Sequence, residues 1–329
     1  MKALDLFAGC GGLSLGFQNA GVEVVAAFDN WKESCDVYAA NFAHPIFQTD
    51  LSDIEDVGRF KEWNPDMIIG GPPCQDFSSA GKRDETLGRA NLTLSYAKLI
   101  SKVKPEWFLM ENVERIRRSQ ILPETLSIFK ESGYGLSLTV LDACYCGVPQ
   151  TRKRFILVGH LYSEDGFLDE YFVKNQSTFP MTVHGYMGEK LDFEFYYRHP
   201  RSYAIRGIFS IYEPSPTIRG VNRPVPKNYK RHEGDLCDPS EVRPLTTLER
   251  SYIQTFPEGF KWLGTKTCME QMIGNAVPVK LGQYIAECFL QYIGDNDRAA
   301  RQVVKKQLEL FPVNLFSTPT SNSKTSKSR

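Results

Sequence analysis

The first 29 residues of the chain constrain its fold most. Ala3 to Phe7 is a short apolar run that breaks off in Gly9-Cys10-Gly11-Gly12, and Leu13 to Ala20 then carries apolar residues at helical spacing. Val22 to Phe28 is a second apolar run, closed by Asp29. Buried strand, glycine turn, helix and buried strand form a βαβ unit, which requires a parallel sheet covered on both faces. The pattern continues. Met67 to Ile69, Trp107 to Met110, Leu136 to Leu141 and Phe155 to Val158 read as further strands. Ser52-x-x-Glu55 resembles a capping box that opens a helix, while Leu92, Tyr96, Leu99, Ile100 and Val103 recur at helical spacing. Gly133 closes a helix that starts near Pro123. The expected fold class is α/β, a doubly wound and mostly parallel sheet.

The texture changes near residue 165, where aromatics, proline, arginine and histidine become dense. Lys plus Arg and Asp plus Glu balance at 39 each over 329 residues, yet between Arg198 and Arg231 eight basic residues face one acid, Glu213. A nucleic-acid partner would be drawn by that local excess. Pro214, Pro216, Pro224 and Pro226 favour loops or edge strands there. Thr246-x-x-Glu249 opens a new helix, and Leu281, Tyr284, Ile285, Cys288 and Phe289 form a helical stripe after Gly274-Asn275. The final sixteen residues hold eight Ser or Thr and read as disordered. No apolar run is long enough to span a membrane, the start does not read as an export signal, and a cytoplasmic chain is expected. The eight cysteines include no C-x-x-C pair, so no metal site is expected and reduced thiols are.

The glycine turn suits a ligand at a helix N-terminus, with Asp29 and Asp50 as partners for ribose and adenine; both could equally be solvated strand-end carboxylates. Gly9-x-Gly11 followed by Ser14 departs from the dinucleotide fingerprint. Gly70-Gly71-Pro72-Pro73-Cys74-Gln75 follows directly on a strand, which puts a cysteine where open α/β sheets bind ligands. Alone, such a thiol is more often packing than nucleophile.

Six segments in order change that balance. Asp5 to Leu13, Gly71-Pro72-Pro73-Cys74-Gln75, Glu111-Asn112-Val113, Gln150-Thr151-Arg152-Lys153-Arg154, Arg243 to Pro257 and Gly274-Asn275-Ala276-Val277-Pro278 resemble the motifs of the cytosine-5 DNA methyltransferases. The resemblance covers nearly all of residues 1–290. It implies a class I S-adenosylmethionine-dependent methyltransferase fold with a smaller, irregular β-rich target-recognition domain. Cys74 would add to carbon 6 of cytosine, making carbon 5 nucleophilic. Glu111 would hold ring nitrogen 3 and the amine and donate a proton, with Gln150, Arg152 and Arg154 supporting the base and flanking phosphates. Phe7, Gly9, Gly11, Gly12, Asp29, Asp50, Pro72, Asn275 and Val277 would contact the donor, S-adenosylmethionine. Two departures stand out. The acid after strand two is Asp29 where the family usually has Glu, followed by Asn30 with Trp31 one place later, and Gly88-Arg89-Ala90-Asn91-Leu92 departs from the R-G-x-L pattern.

The target cytosine must be rotated out of the duplex. Arg201, Arg206, Arg219, Arg223, Lys227, Lys230 and Arg231 are expected at phosphates or guanine edges, with Gln75 and Ser78 of the nucleophile loop also at the DNA. The expected organisation is a catalytic domain over 1–170, a recognition domain and hinge over 171–264, returning helices over 265–311 and a tail over 312–329. Double-stranded DNA is the expected partner of a monomer, within a restriction-modification system or as an orphan methylase. An RNA cytosine-5 methyltransferase of the same fold is the alternative; its tRNA-acting branch carries a Cys-Phe-Thr element that this sequence lacks.

Overall fold

The computed structural model describes residues 1–52, 54–73, 92–202 and 204–310, with the side chains of 300, 301 and 303–310 left aside. The strands are β1 (Lys2–Leu6), β2 (Glu23–Asp29), β3 (Ile46–Gln48), β4 (Met67–Gly70), β5 (Trp107–Val113), β6 (Tyr134–Asp142), β7 (Gln150–Thr151), β8 (Lys153–Leu161), β9 (Phe195–Tyr197), β10 (Ile208–Ser210) and β11 (Ser215–Pro216). The helices are α1 (Gly12–Asn19), α2 (Lys32–Asn41), α3 (Gly58–Lys61), α4 (Leu92–Val103), α5 (Ile121–Glu131), α6 (Asp169–Lys174), α7 (Val183–Met187), α8 (Thr247–Ile253), α9 (Lys266–Asn275) and α10 (Val279–Leu310).

Seven strands form the central sheet in the order β3-β2-β1-β4-β5-β8-β6. The first five pair in parallel, and β8 runs antiparallel between β5 and β6. Chain order reverses between β1 and β4, so the crevice that open α/β sheets use lies beyond Leu6 and Gly70. These strands are close: a Cβ on Gly70 would lie 2.7 Å from the Leu6 carbonyl oxygen.

Alternation along each strand sorts the core. Leu4, Leu6, Ala26, Phe28, Ile68, Phe108 and Met110 join Leu99 and Ile100 of α4 and Phe129 of α5 in one buried cluster. On the other face Ala27 packs with Ala8 and Tyr38, and Trp107 stacks on His160 and meets Phe289 edge-on. A separate cluster gathers Val183, Tyr196, Phe209, Ile218, Leu245 and Ile253 around the antiparallel pair β9–β10. Residues 1–289 form one compact unit, and the described residues from 290 onward belong to a second. No helix among the described residues is long and apolar enough to cross a membrane.

The Thr246 capping box is present as read: its hydroxyl accepts from Glu249 N–H, and Glu249 accepts from Thr246 N–H. The one expected at Ser52 is not formed. That helix, α3, starts at Gly58, whose N–H Asp56 accepts, and the Ser52 N–H that the box would have used goes to Asp50 at 2.9 Å.

Candidate active site

Two loops flank the crevice. Beyond β1, Phe7, Gly9 and Gly11 all have positive φ, +57°, +57° and +92°, which turns the chain back into α1. Gly9 is held by conformation, not crowding, since a Cβ there would find only Ser34 Oγ at 3.9 Å. Gly12 is held by contact: its Cβ would sit 2.1 Å from the Val277 carbonyl oxygen. Asp29, at the end of β2, binds this loop. Its Oδ2 accepts Gly9 N–H at 2.9 Å and its Oδ1 accepts Trp31 N–H at 2.8 Å. Burial raises its pKa and the two backbone bonds pull it part of the way back. Phe7, Gly9, Gly11, Gly12, Asp29 and Val277 therefore meet at one corner. Asp50 lies exposed just past β3, Asn275 is exposed at the end of α9, and Pro72 is buried. Trp31 is partly buried and packs on the cluster of Cys10, Val37, Phe256, Met272 and Val279.

The residues at this corner fit a nucleoside. Each Asp29 oxygen keeps acceptor capacity beyond its one bond. Among the described residues the buried Ser34 hydroxyl has no hydrogen-bond partner, and it lies 3.9 Å from where a Cβ on Gly9 would stand.

Across the switch point, β5 and β8 pair so that Val113 faces Arg154. The diagonal neighbour on the same face is Glu111, and Arg154 Nε lies 2.8 Å from Glu111 Oε1, both side chains about nine-tenths buried. Burial lowers the Arg154 pKa, while the Glu111 carboxylate opposes that shift. The other carboxylate oxygen reaches the next loop, 3.3 Å from where a Cβ on Gly71 would lie. Asn112 Nδ2 donates to the Pro72 carbonyl oxygen at 2.9 Å. The Glu-Asn-Val segment thus grips the start of the loop that leads to Cys74. Cys74, Gln75 and Ser78 themselves lie outside the described residues.

Arg152 is placed differently from Arg154. It is fully buried, donating through Nη1 to Ile218 O and through Nη2 to Gly274 O and Ala276 O, each at 3.0 Å. Its guanidinium is spent on carbonyls of the chain itself instead of facing the crevice as a free cation. Gln150 is equally committed, accepting Ile218 N–H at 2.8 Å and donating to Gln254 Oε1 at 2.7 Å. Gln150 and Arg152 therefore hold both backbone groups of Ile218, while Arg154, two residues on, holds Glu111.

The basic candidates also divide. Arg206 pairs with Glu213 and lies 4.5 Å over the Phe209 ring, and Arg231 donates to Asp235 O at 3.4 Å. Arg219 is half-buried and donates to His199 O, whereas Arg201, Arg223, Lys227 and Lys230 are exposed. The buried pair Arg250 and Glu270 was not legible in the sequence, because its members sit on different helices, α8 and α9, joined by a loop.

The sheet order, the glycine turn beneath a buried acid and the crevice at the switch point define the class: a Rossmann-like, class I methyltransferase fold. Residues 1–291 match the model of the C-5 cytosine-specific DNA methylases, and the chain belongs to that family. It is a DNA cytosine-5 methyltransferase. Among its relatives, Type II methyltransferase M.HindV of Haemophilus influenzae is 56% identical over 298 residues, 89% of this chain and 97% of that one. Type II methyltransferase M.HgiDI of Herpetosiphon aurantiacus is 53% identical over 313 residues, covering 95% and 99%. The crystal structure of the S. pombe Dnmt2 methyltransferase superposes with TM-score 0.69 over 89% of this chain and 99% of that chain; at 19% identity this likeness speaks to fold alone.

Proposed function

We propose that the chain methylates carbon 5 of a cytosine rotated out of duplex DNA, as the modification member of a Type II restriction-modification system. The observation that carries the residue assignment is the Glu111–Arg154 pair set against Gly71 and Pro72, at the mouth of the Cys74 loop. Cys74 Sγ, as the thiolate, adds to carbon 6 of the cytosine, and the ring electrons move toward nitrogen 3. Glu111 delivers a proton at nitrogen 3 as that charge develops and holds the exocyclic amine. Arg154 fixes the Glu111 carboxyl in place. Carbon 5, now enamine-like, takes the methyl group; the nitrogen 3 proton returns to Glu111, a water-borne base removes the carbon 5 proton, and the electrons of that C–H bond form the carbon 5–carbon 6 double bond as the carbon 6–sulfur bond breaks and releases the thiolate.

Asp29, Ser34 and the backbone of Gly9, which carries no side chain, suit the nucleoside of S-adenosylmethionine, which when bound supplies the electrophilic methyl. Phe7, Gly11, Gly12, Asp50, Pro72, Asn275 and Val277 complete that proposed site. Arg152 and Gln150 act as positioning residues. Residues 171–264 form the recognition part, 1–170 with 265–311 the catalytic part.

An oligonucleotide bearing 5-fluorocytosine at the target tests the assignment. It should become covalently attached to wild-type enzyme in the presence of the donor and remain free with Cys74→Ser. Capture by the Ser variant, or none by wild type, would reject Cys74 as the nucleophile.

A further inference from the structure

A narrow cleft of about 350 Å³ with its mouth included opens in the recognition part. Arg198, His199, Arg219, Arg223 and Arg250 line it, and among the described residues no Asp or Glu does. We propose that this cleft seats one phosphodiester of the DNA backbone, and that the Q-x-R-x-R segment holds this seat in fixed register with Glu111. The proposal rests on the DNA-methylating function above and names the residues that anchor the duplex.

The charges call for an anion. Among the described residues, Arg198, Arg201, Arg219 and Arg223 form no ion pair, and Arg250 is the cation already neutralised, by Glu270. Arg198 feels this surplus. Its pKa is pushed down to about 10, first by burial and then by Arg219, Arg201 and Arg250. His199 is lowered by burial, then by Arg223 and Arg219. Uncompensated guanidinium groups at the edge of a half-buried cleft cost free energy in the empty protein, and a phosphate returns it.

The size decides between a phosphate and a base. Within the cleft, the space that the centre of a water-sized sphere can occupy is only about 20 Å³, room for about one phosphate oxygen and far short of a purine. The donors are also ordered beforehand. Arg198 Nη2 is tied to Thr217 O at 2.9 Å, Arg219 to His199 O and Arg250 to Arg219 O. Each arm keeps further N–H groups in a fixed fork.

The register is set just as locally. Residues 217–219 carry the seat on one side, while Ile218 is gripped from the other by Gln150 and Arg152. Gly274 closes the same contact: a Cβ there would lie 2.1 Å from Gly220 N. From Arg152 the chain needs two residues to reach Arg154 and its bond to Glu111. A phosphate docked on Arg219 is thus placed at a set distance from the catalytic carboxylate with no flexible linker between.

The test is equilibrium binding of the full chain between 50 and 200 mM salt, with two probes. One is a 30-bp duplex containing the site mapped by bisulfite sequencing, the other a 30-bp duplex of mixed sequence. Arg223 is exposed, so Arg223→Gln should fold as wild type; Arg219→Gln is the second variant. Each should weaken both probes by a similar factor, about tenfold at low salt, and reduce the magnitude of the log–log salt slope by roughly 0.9, one phosphate's worth. In steady-state assays KM for DNA should rise while kcat at saturating DNA stays within about twofold. Wild-type affinity for both duplexes with an unchanged slope in both variants would overturn the seat. Loss confined to the site-containing duplex would overturn it in favour of base reading. If wild type itself binds neither duplex in a salt-dependent way, the functional reading fails and not merely the seat.

Discussion

Arg154 and Glu111 are each about nine-tenths buried and 2.8 Å apart, so neither is tolerated alone. Glu111→Gln keeps the size and an acceptor but removes the proton and the charge. We expect single-turnover methyl transfer to fall by roughly two to four orders of magnitude, the usual worth of a positioned acid. Thermal stability should fall as well, because Arg154 keeps its buried charge without a counter-charge. Retention of more than a tenth of the wild-type rate would remove Glu111 from the proton-transfer role. Cys74→Ser should differ in kind: methyl transfer lost, with folding and duplex affinity close to wild type. Equal loss of binding would point to a structural role for that thiol. Arg152 shows where sequence reasoning stops. Its residue type and its place in the Q-x-R-x-R segment suggested a cation for the base, but the carbonyls that consume it belong to residues 66, 122 and 124 positions away. Nothing local to Arg152 announces them.

At the scale of elements, β1, α1 and α2 are joined through polar side chains. Ser14 Oγ–H donates to Asp5 Oδ2 at 2.6 Å, Ser14 and Tyr38 share a hydrogen bond at 2.7 Å, and Tyr38 meets His44 Nε2 at 2.6 Å. Burial pushes the Asp5 carboxyl from an ordinary 3.8 up to about 7, with Asp29 adding to the shift and Ser14 opposing it. The folded chain therefore holds a proton that the unfolded chain has released between those values. Its contribution to stability is complete below about pH 4 and is lost as pH rises toward 7. In urea melts across that window, Asp5→Asn should give a flatter profile than wild type; parallel profiles would contradict the shift. Gly274→Ala tests a second junction. The added methyl meets Gly220 and Arg219 backbone, which cannot rotate away, so we expect a loss of about 1–3 kcal/mol and a raised KM for DNA. Elements set by local chemistry were legible in advance. The strands β1, β2, β4 and β5 follow from apolar runs, and α8 from its capping box. The short β3 and the antiparallel entry of β8 were not, since pairing and its direction depend on neighbours distant in the chain.

For the molecule as a whole, the proposed division between a chemical part and a reading part makes a separable prediction. Exchanging residues 198–231 for the equivalent stretch of a relative with different specificity should change the sequence methylated in bisulfite maps while Cys74 chemistry persists. An unaltered map would locate recognition elsewhere. Such grafts should keep Ile218 and its two backbone bonds, or the new reading surface will sit out of step with Glu111.

Gly12 and Gly16 have a further consequence. They let α1 touch the backbone of residues 277–283 directly, as the Cβ of either would lie within about 2.5 Å of the Val277 or Val279 carbonyl oxygen. One wall of the glycine turn is therefore translated some 265 residues after the turn itself. A nascent polypeptide emerging from the ribosome has its first strand and its thiol loop long before that wall exists. An incomplete product should remain chemically silent, so that genome marking begins only once synthesis has passed the start of the closing helix.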